Sequence, residues 1–172
     1  IKNSVECNIN LNAKEDYDKA GFHYACENGR IESVKLLIKN SVECKINLNA
    51  KNGDGKTGFH YAFESGRIEL VKVLIKNSVE FNIDLNVKAR DGKARLTGFH
   101  YACKRGDVKI VELMIKKSVE CNINLNAIDD WQRCNKKKAG KTGYNYSNGN
   151  GQVTRLIRDN SAQFNIDLNS YY

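Results

Sequence analysis

A chain of 172 residues, 41% of them hydrophobic, is long and apolar enough to bury a core, so a folded soluble domain is expected. No apolar run approaches the ~18 residues that cross a bilayer, and no signal peptide is visible, so membrane association is not expected. The net charge of +8 is concentrated: residues 88–141 hold 14 Lys/Arg against 6 Asp/Glu, and the remainder holds 14 of each. Such a field attracts acidic partners, anionic polymers or membranes and is silent on fold.

The first segment, Ile1-Lys-Asn-Ser-Val-Glu-Cys7, matches Ile38 to Cys44 letter for letter. The sequence therefore opens partway through a repeat, with 1–13 as the end of a preceding copy, and the chain is expected to continue upstream. Three near-copies follow at 14–50, 51–87 and 88–127. Each carries one phrase: Gly21-Phe-His-Tyr-Ala-Cys26, Gly58-Phe-His-Tyr-Ala-Phe63 and Gly98-Phe-His-Tyr-Ala-Cys103. The histidines at 23, 60 and 100, with Asn145 in their place in a worn fourth copy, recur at steps of 37, 40 and 45. The pairs Leu11-Asn12, Leu48-Asn49, Leu85-Asn86, Leu125-Asn126 and Leu168-Asn169 recur at 37, 37, 40 and 43. Periods in this range signal stacked arrays, whose units cannot bury their apolar faces alone.

Within 51–87, Asn52-Gly-Asp-Gly55 reads as a tight, hairpin-like finger. Thr57 stands at a helix N-cap, and Phe59, Ala62 and Phe63 give a short amphipathic helix that Gly66 ends. A longer helix from Arg67 puts Ile68, Val71, Leu74 and Ile75 on one face. Beyond it, Val79, Phe81, Ile83 and Leu85 alternate as a strand would, while Ile75, Val79 and Ile83 keep helical spacing. The favoured reading is one extra helical turn to about Phe81, then an extended segment that buries Leu85.

The finger of the third copy, 88–97, is three residues longer than its predecessor, and that of the fourth, 128–142, is eight longer. The latter carries Trp131-Gln-Arg-Cys-Asn-Lys-Lys-Lys138, with the only Trp of the chain. In the fourth copy Tyr144-Asn-Tyr-Ser-Asn148 replaces the repeated phrase, and Arg155, Arg158, Asp159 and Gln163 make the closing helix polar. A polar outer face is expected of a terminal unit, so 128–172 is read as a C-terminal capping repeat.

The order of finger, Thr-x-x-His, short helix, Gly, long helix and Leu-Asn resembles the ankyrin repeat across essentially the whole chain. The resemblance implies an all-α ankyrin-repeat solenoid of stacked helix-turn-helix units with finger loops, forming a single domain. It also implies that Thr57 with His60, and Thr97 with His100, knit neighbouring repeats, although the first copy has Ala20 in place of Thr. The family's Thr-Pro-Leu-His appears here as Thr-Gly-Phe-His in a chain without proline. Losing Pro at the first helical position frees the unfolded chain, at about 0.4–1 kcal/mol per repeat. The period exceeds the usual ~33 by four residues, placed after the apolar run of the second helix.

Ankyrin resemblance further implies a protein ligand on a concave surface of fingers and first helices, with no catalysis. By position this selects Glu27, Asn28, Glu64, Ser65, Lys104 and Arg105, where the copies differ on a fixed frame, and Tyr17, Asp54, Arg90 and Arg95 on the fingers. Drift on a solvated face would look the same. The row runs from acidic to basic, so a partner lying along it would carry the opposite order of charge. Trp131, Arg133, Lys136, Lys137 and Lys138 form either an anchor for a partner or, with Trp131 folded onto the cap, a solvated tip. Two other readings stay open. One is binding of nucleic acid or another polyanion through Arg90, Lys93, Arg95, Arg133, Lys136, Lys137, Lys138 and Lys141, against which stands the lack of interleaved aromatics. The other is a segment of a longer structural array.

Other chemistry is weak. Three histidines at one repeat position suit a structural hydrogen bond better than a catalytic base. Gly55-Lys-Thr57 and Gly140-Lys-Thr142 lack the earlier Gly of a phosphate loop and read as finger-to-helix turns. No Cys-x-x-Cys or His cluster offers metal spacing, and no cofactor or small-molecule substrate is expected. Cys7, Cys44 and Cys121 share a position with Phe81 and Phe164, and Cys26 and Cys103 share one with Phe63. A slot that accepts Phe wants apolar bulk, so free thiols and an intracellular location are expected, cytoplasmic rather than nuclear. Cys134 alone lies outside the register, beside cations that would activate a thiol. The sequon Asn145-Tyr-Ser147 falls in a helix and is discounted.

Overall fold

The computed structural model describes residues 9–92, 94–130 and 140–169. They form two compact units that divide between Asp84 and Leu85.

In the first unit, a tight 3-10 turn at Asp16–Asp18 leads to α1 (Gly21–Glu27) and α2 (Ile31–Lys39), and a second helix pair follows as α3 (Gly58–Glu64) and α4 (Ile68–Asn77). First helices pack on first helices and second on second. The core is the apolar face read from the sequence: Phe22, Cys26, Val34, Ile38, Phe59, Ala62, Phe63, Val71, Leu74 and Ile75 are buried. Leu70 is fully buried, whereas Ile68, at the open first turn of α4, is only half-buried.

In the second unit, a hairpin of β1 (Ala89–Asp91) and β2 (Ala94–Leu96) precedes α5 (Gly98–Arg105) and α6 (Val108–Lys116). Then come α7 (Gly143–Ser147) and the long α8 (Gly151–Phe164). Here α5 packs on α7 and α6 on α8 around Phe99, Cys103, Ile110, Val111, Met114, Ile115, Val153 and Ile157.

The four residues by which the period is extended form one more helical turn. After α4 the amide of Phe81 donates to the Asn77 carbonyl, that of Asn82 to Val79 and that of Ile83 to Ser78. Asn82 takes the left-handed conformation (φ 50°), which closes the turn as a Schellman motif. The same bonds and the same positive φ recur at Lys45 and Asn122, and Asn165 ends α8 likewise, with Ile166 donating to Ser161. The alternation of Val79, Phe81, Ile83 and Leu85 is therefore not a strand face. Val79 points out (62% exposed), Phe81 is half-buried, and Ile83 and Leu85 are buried beyond the turn.

The Leu-Asn pair has a physical role that its recurrence alone did not disclose. Asn49 Nδ2 donates to the carbonyl of left-handed Asn82 (2.7 Å), while its Oδ1 accepts the amide of Asp84 (2.8 Å). Asn12 grips Lys45 and Asn47 in this way, Asn86 grips Asn122 and Asn124, and Asn126 grips Asn165 and Asp167. Each asparagine thus satisfies a helix-end carbonyl and a loop amide of the next copy.

Candidate functional site

The fingers are held from within. In the second copy, Asn52 Oδ1 accepts the amides of Asp54 (3.0 Å) and Lys56 (2.8 Å), and its Nδ2 donates to the Tyr61 hydroxyl (2.9 Å). In the fourth, Asp129 takes that place: its carboxylate accepts the Lys141 amide (2.9 Å) and the Tyr146 hydroxyl (2.6 Å), and its amide donates to the Lys141 carbonyl. These bonds pinch the base of the long finger. Burial, reinforced by the Asp129 carboxylate, pushes the Tyr146 phenol well up, so it remains a donor.

The histidines serve as the spacing suggested. His60 Nδ1 accepts the Thr57 amide (3.1 Å) and hydroxyl (3.0 Å), and His100 Nδ1 does the same for Thr97. With Nδ1 accepting, the proton sits on Nε2, which in His100 donates to the Lys141 carbonyl (3.0 Å) of the next finger. His23 reaches Ala50 (2.8 Å) although Ala20 supplies no hydroxyl. Burial holds the His23 and His100 rings below the usual imidazole range, so both are neutral links. In the fourth copy Asn145 Oδ1 accepts from the Thr142 amide and hydroxyl, so the capping survives the loss of the histidine.

Gly58 explains the altered signature. A Cβ on it would lie 2.6 Å from Phe22 Cε1 and 2.9 Å from Cys26 Sγ. On Gly143 it would lie 2.5 Å from Phe99 Cε1. The Phe of one copy occupies the space over the first helical residue of the next, where the usual proline would stand.

The variable positions after the short helices are internally paired. Lys19 bonds Glu27 (2.8 Å), and its ammonium lies 4.7 Å from the centre of the Tyr61 ring and 5.3 Å from that of Tyr24. The Glu27 bond raises the Lys19 pKa. Lys56 pairs with Glu64 (2.6 Å), Lys104 with Asp91 and Arg105 with Asp107 (3.0 Å). In two copies a basic finger residue meets an acidic helix end, and in the third the signs are exchanged. The gradient from acidic to basic is thus accompanied by opposite charges from the chain itself, each strapping a finger or turn to its helix. Asn28 Nδ2 donates to the Tyr24 carbonyl and Ser65 Oγ to that of Ala62, so both cap their own helices.

The finger residues differ from these. Tyr17 is 83% exposed at a finger tip with φ 62°, a conformation unfavourable for a bulky side chain, and its carbonyl accepts the Gly53 amide (3.1 Å). Asp54 is exposed at the tip of the second finger. Arg90 and Arg95 are exposed and directly opposite one another across β1 and β2. Lys141 is exposed beside the clamp. Lys93, Trp131, Arg133, Cys134, Lys136, Lys137 and Lys138 lie outside the described residues. Sequence reading missed the asparagine clamps, the Asp129 clamp and the Phe-Gly interlock. The Leu-Asn recurrence and the joint Gly and Phe replacement were the available signals.

Among the described residues no cluster of His, Cys, Asp or Glu could hold a metal, and no helix is long and apolar enough to cross a membrane. Cys26 and Cys103 are buried free thiols. Stacked helix pairs, imidazole links between copies and projecting fingers define a tandem-repeat protein. Family models for ankyrin repeats match residues 1–89, as three copies, and 96–130, as one. The chain belongs to the ankyrin-repeat family, whose members are generally non-enzymatic modules of protein–protein interaction. No curated protein matches its sequence.

Proposed function

We propose that this protein is a non-enzymatic scaffold that takes a protein partner on its fingers and first helices. The exposed Tyr17, held left-handed at a finger tip, carries the reading. Backbone strain around a large exposed aromatic contributes nothing to the core, whereas a rigid aromatic at a tip is what a recognition anchor requires. Asp54 stands on the other finger of the same unit and Arg90 and Arg95 on the hairpin of the second unit, while Glu27, Glu64 and Lys104 act chiefly by fixing finger positions and Arg105 by tying the turn at Asp107. We take the repeats as 14–50, 51–87 and 88–127, with 128–172 as the cap, a division that the recurring asparagine clamps support. The buried thiols of Cys26 and Cys103, at a repeat position that Phe63 also fills, support residence in a reducing, intracellular setting.

The test is capture from an extract of the source organism on immobilised wild type and on Tyr17→Gly. Glycine relieves the positive φ, so the variant is expected to melt no lower than wild type while losing the captured protein. Equal capture by both proteins would refute Tyr17 as the anchor, and a wild type enriching nothing over a heat-unfolded control would refute the binding role.

A further inference from the structure

We propose that the turns after α2 and α4 dock a second copy of this chain, about a two-fold axis that runs along the row of Val42 and Val79. The surface belongs to neither the fingers nor the first helices and so goes beyond the reading above. Both turns carry Lys-Asn-Ser-Val-Glu, at 39–43 and 76–80. The serines turn inward, and Ser78 Oγ donates to the Ile75 carbonyl (2.8 Å). The valines turn outward, Val42 80% and Val79 62% exposed. Because α2 packs on α4 and the Asn49 clamp on Asn82 fixes one turn against the other, the two valines form a row. Outward positions earlier in the helices change sign between copies: Glu32 and Glu69 become Lys109, and Lys35 and Lys72 become Glu112. Val42 and Glu43 recur unchanged as Val79 and Glu80 and as Val119 and Glu120. An apolar side chain kept outward in each of these copies serves contact rather than the core.

The charges around the row identify the occupant. Lys35 and Lys72 are held by Glu32 and Glu69 (2.8 and 2.7 Å), whereas among the described residues Lys39, Glu43, Lys76 and Glu80 form no ion pair. Lys39 precedes Glu43 by four residues, the weaker order for a pair on one helix. Each turn therefore offers an available cation and, one turn on, an available anion. Rotation about an axis along the valine row reverses the helices and keeps the copies in register. Lys39 then meets Glu43 of the second copy, Lys76 meets Glu80, and valine meets valine. The pattern is its own complement, as an isologous interface requires. An axis along the helices would instead set Lys39 against Lys76, like on like. The first unit, residues 1–84, holds 12 Lys/Arg and 12 Asp/Glu, so no net charge opposes the contact, whereas the second holds 16 and 8. In the second unit Val119 is 85% exposed, but Lys116 and Lys117 are bound by Glu112 and Glu120, which confines the surface to the first.

A contact this small lies below the ~1,200 Å² of stable complexes, so a dissociation constant of about 0.1 mM is expected in sedimentation equilibrium of the wild type. Val42→Ser, Val79→Ser should weaken self-association at least about tenfold. Lys39→Glu, Lys76→Glu and, separately, Glu43→Lys, Glu80→Lys should do the same, because each sets like charges face to face. An equimolar mixture of these two charge variants should recover association within about threefold of wild type, since each supplies the charge that the other has lost. All the substituted residues are exposed, and far-UV circular dichroism checks that every variant stays folded. A wild type that remains monomeric to about 1 mM would leave the ridge to a different protein and overturn the proposal. So would any double variant that self-associates as wild type does, or a mixture that fails to recover.

Discussion

Restoring the family's proline at Gly58 gives the sharpest test of how these repeats pack. The backbone is ready for it: Thr57 is extended (φ −97°, ψ 173°), as a residue before proline must be, and position 58 is the first of α3, where no helical amide bond is lost. On backbone grounds alone Gly58→Pro should stabilise by about 0.4–1 kcal/mol, through the unfolded chain. The packing predicts the opposite. The new Cβ would lie 2.6 Å and 2.8 Å from ring carbons of Phe22 and 2.9 Å from Cys26 Sγ, in a fully packed core. Such overpacking costs about 1–3 kcal/mol, so a net loss of about 1–2 kcal/mol is expected. Phe22→Leu removes the ring and should restore room, which gives a favourable coupling of about 1–2 kcal/mol in the double variant. Urea unfolding followed by far-UV circular dichroism measures all three variants, and amide exchange locates the loss in the first unit. A stabilised Gly58→Pro, or additive effects of the two substitutions, would refute the interlock.

Asn49→Ala removes both arms of one clamp and should lower stability by about 1–2 kcal/mol in urea melts. Asn49→Asp, which keeps an acceptor but sets a carboxylate against the Asn82 carbonyl, should be no better. Because burial lowers the His23 and His100 pKa values from an unfolded 6.5, their contribution is complete above pH 6.5 and lost as pH falls below it, with a limiting slope of about 1.4 kcal/mol per pH unit for each ring. Denaturant midpoints from pH 7.5 down to about pH 5 would show this, and His100→Asn, which introduces the residue that Asn145 supplies in the fourth copy, should remove one ring's share and leave that of His23. Burial also pushes the Cys26 and Cys103 thiols far up, so maleimide treatment followed by peptide mass mapping should modify Cys26 and Cys103 only in urea.

Much of this architecture is legible before any coordinates. The step between His23, His60 and His100, and the exchange of Cys for Phe at 26, 63 and 103, point to stacked units with an apolar slot, because periodic burial leaves a periodic trace. The extra turn to Phe81 was legible too, although its alternating residues fit a strand equally well. Asn82 decides it by accepting a left-handed conformation that ends the helix.

The linear chain determined which residues recur and therefore which faces are buried, since apolar spacing is a local property of helices. Tertiary structure alone decided what the recurring polar residues hold. Asn49 meets a carbonyl 33 residues away, and Phe22 closes over Gly58. Glu27, Glu64 and Lys104, which varied as recognition residues would, are each held by a charge from their own fingers or hairpin. Variation at one position carries little record of its compensating partner, because Lys19 and Lys56 stand eight residues before their acids whereas Asp91 stands thirteen before Lys104, and each pair comes together only through the path of the finger.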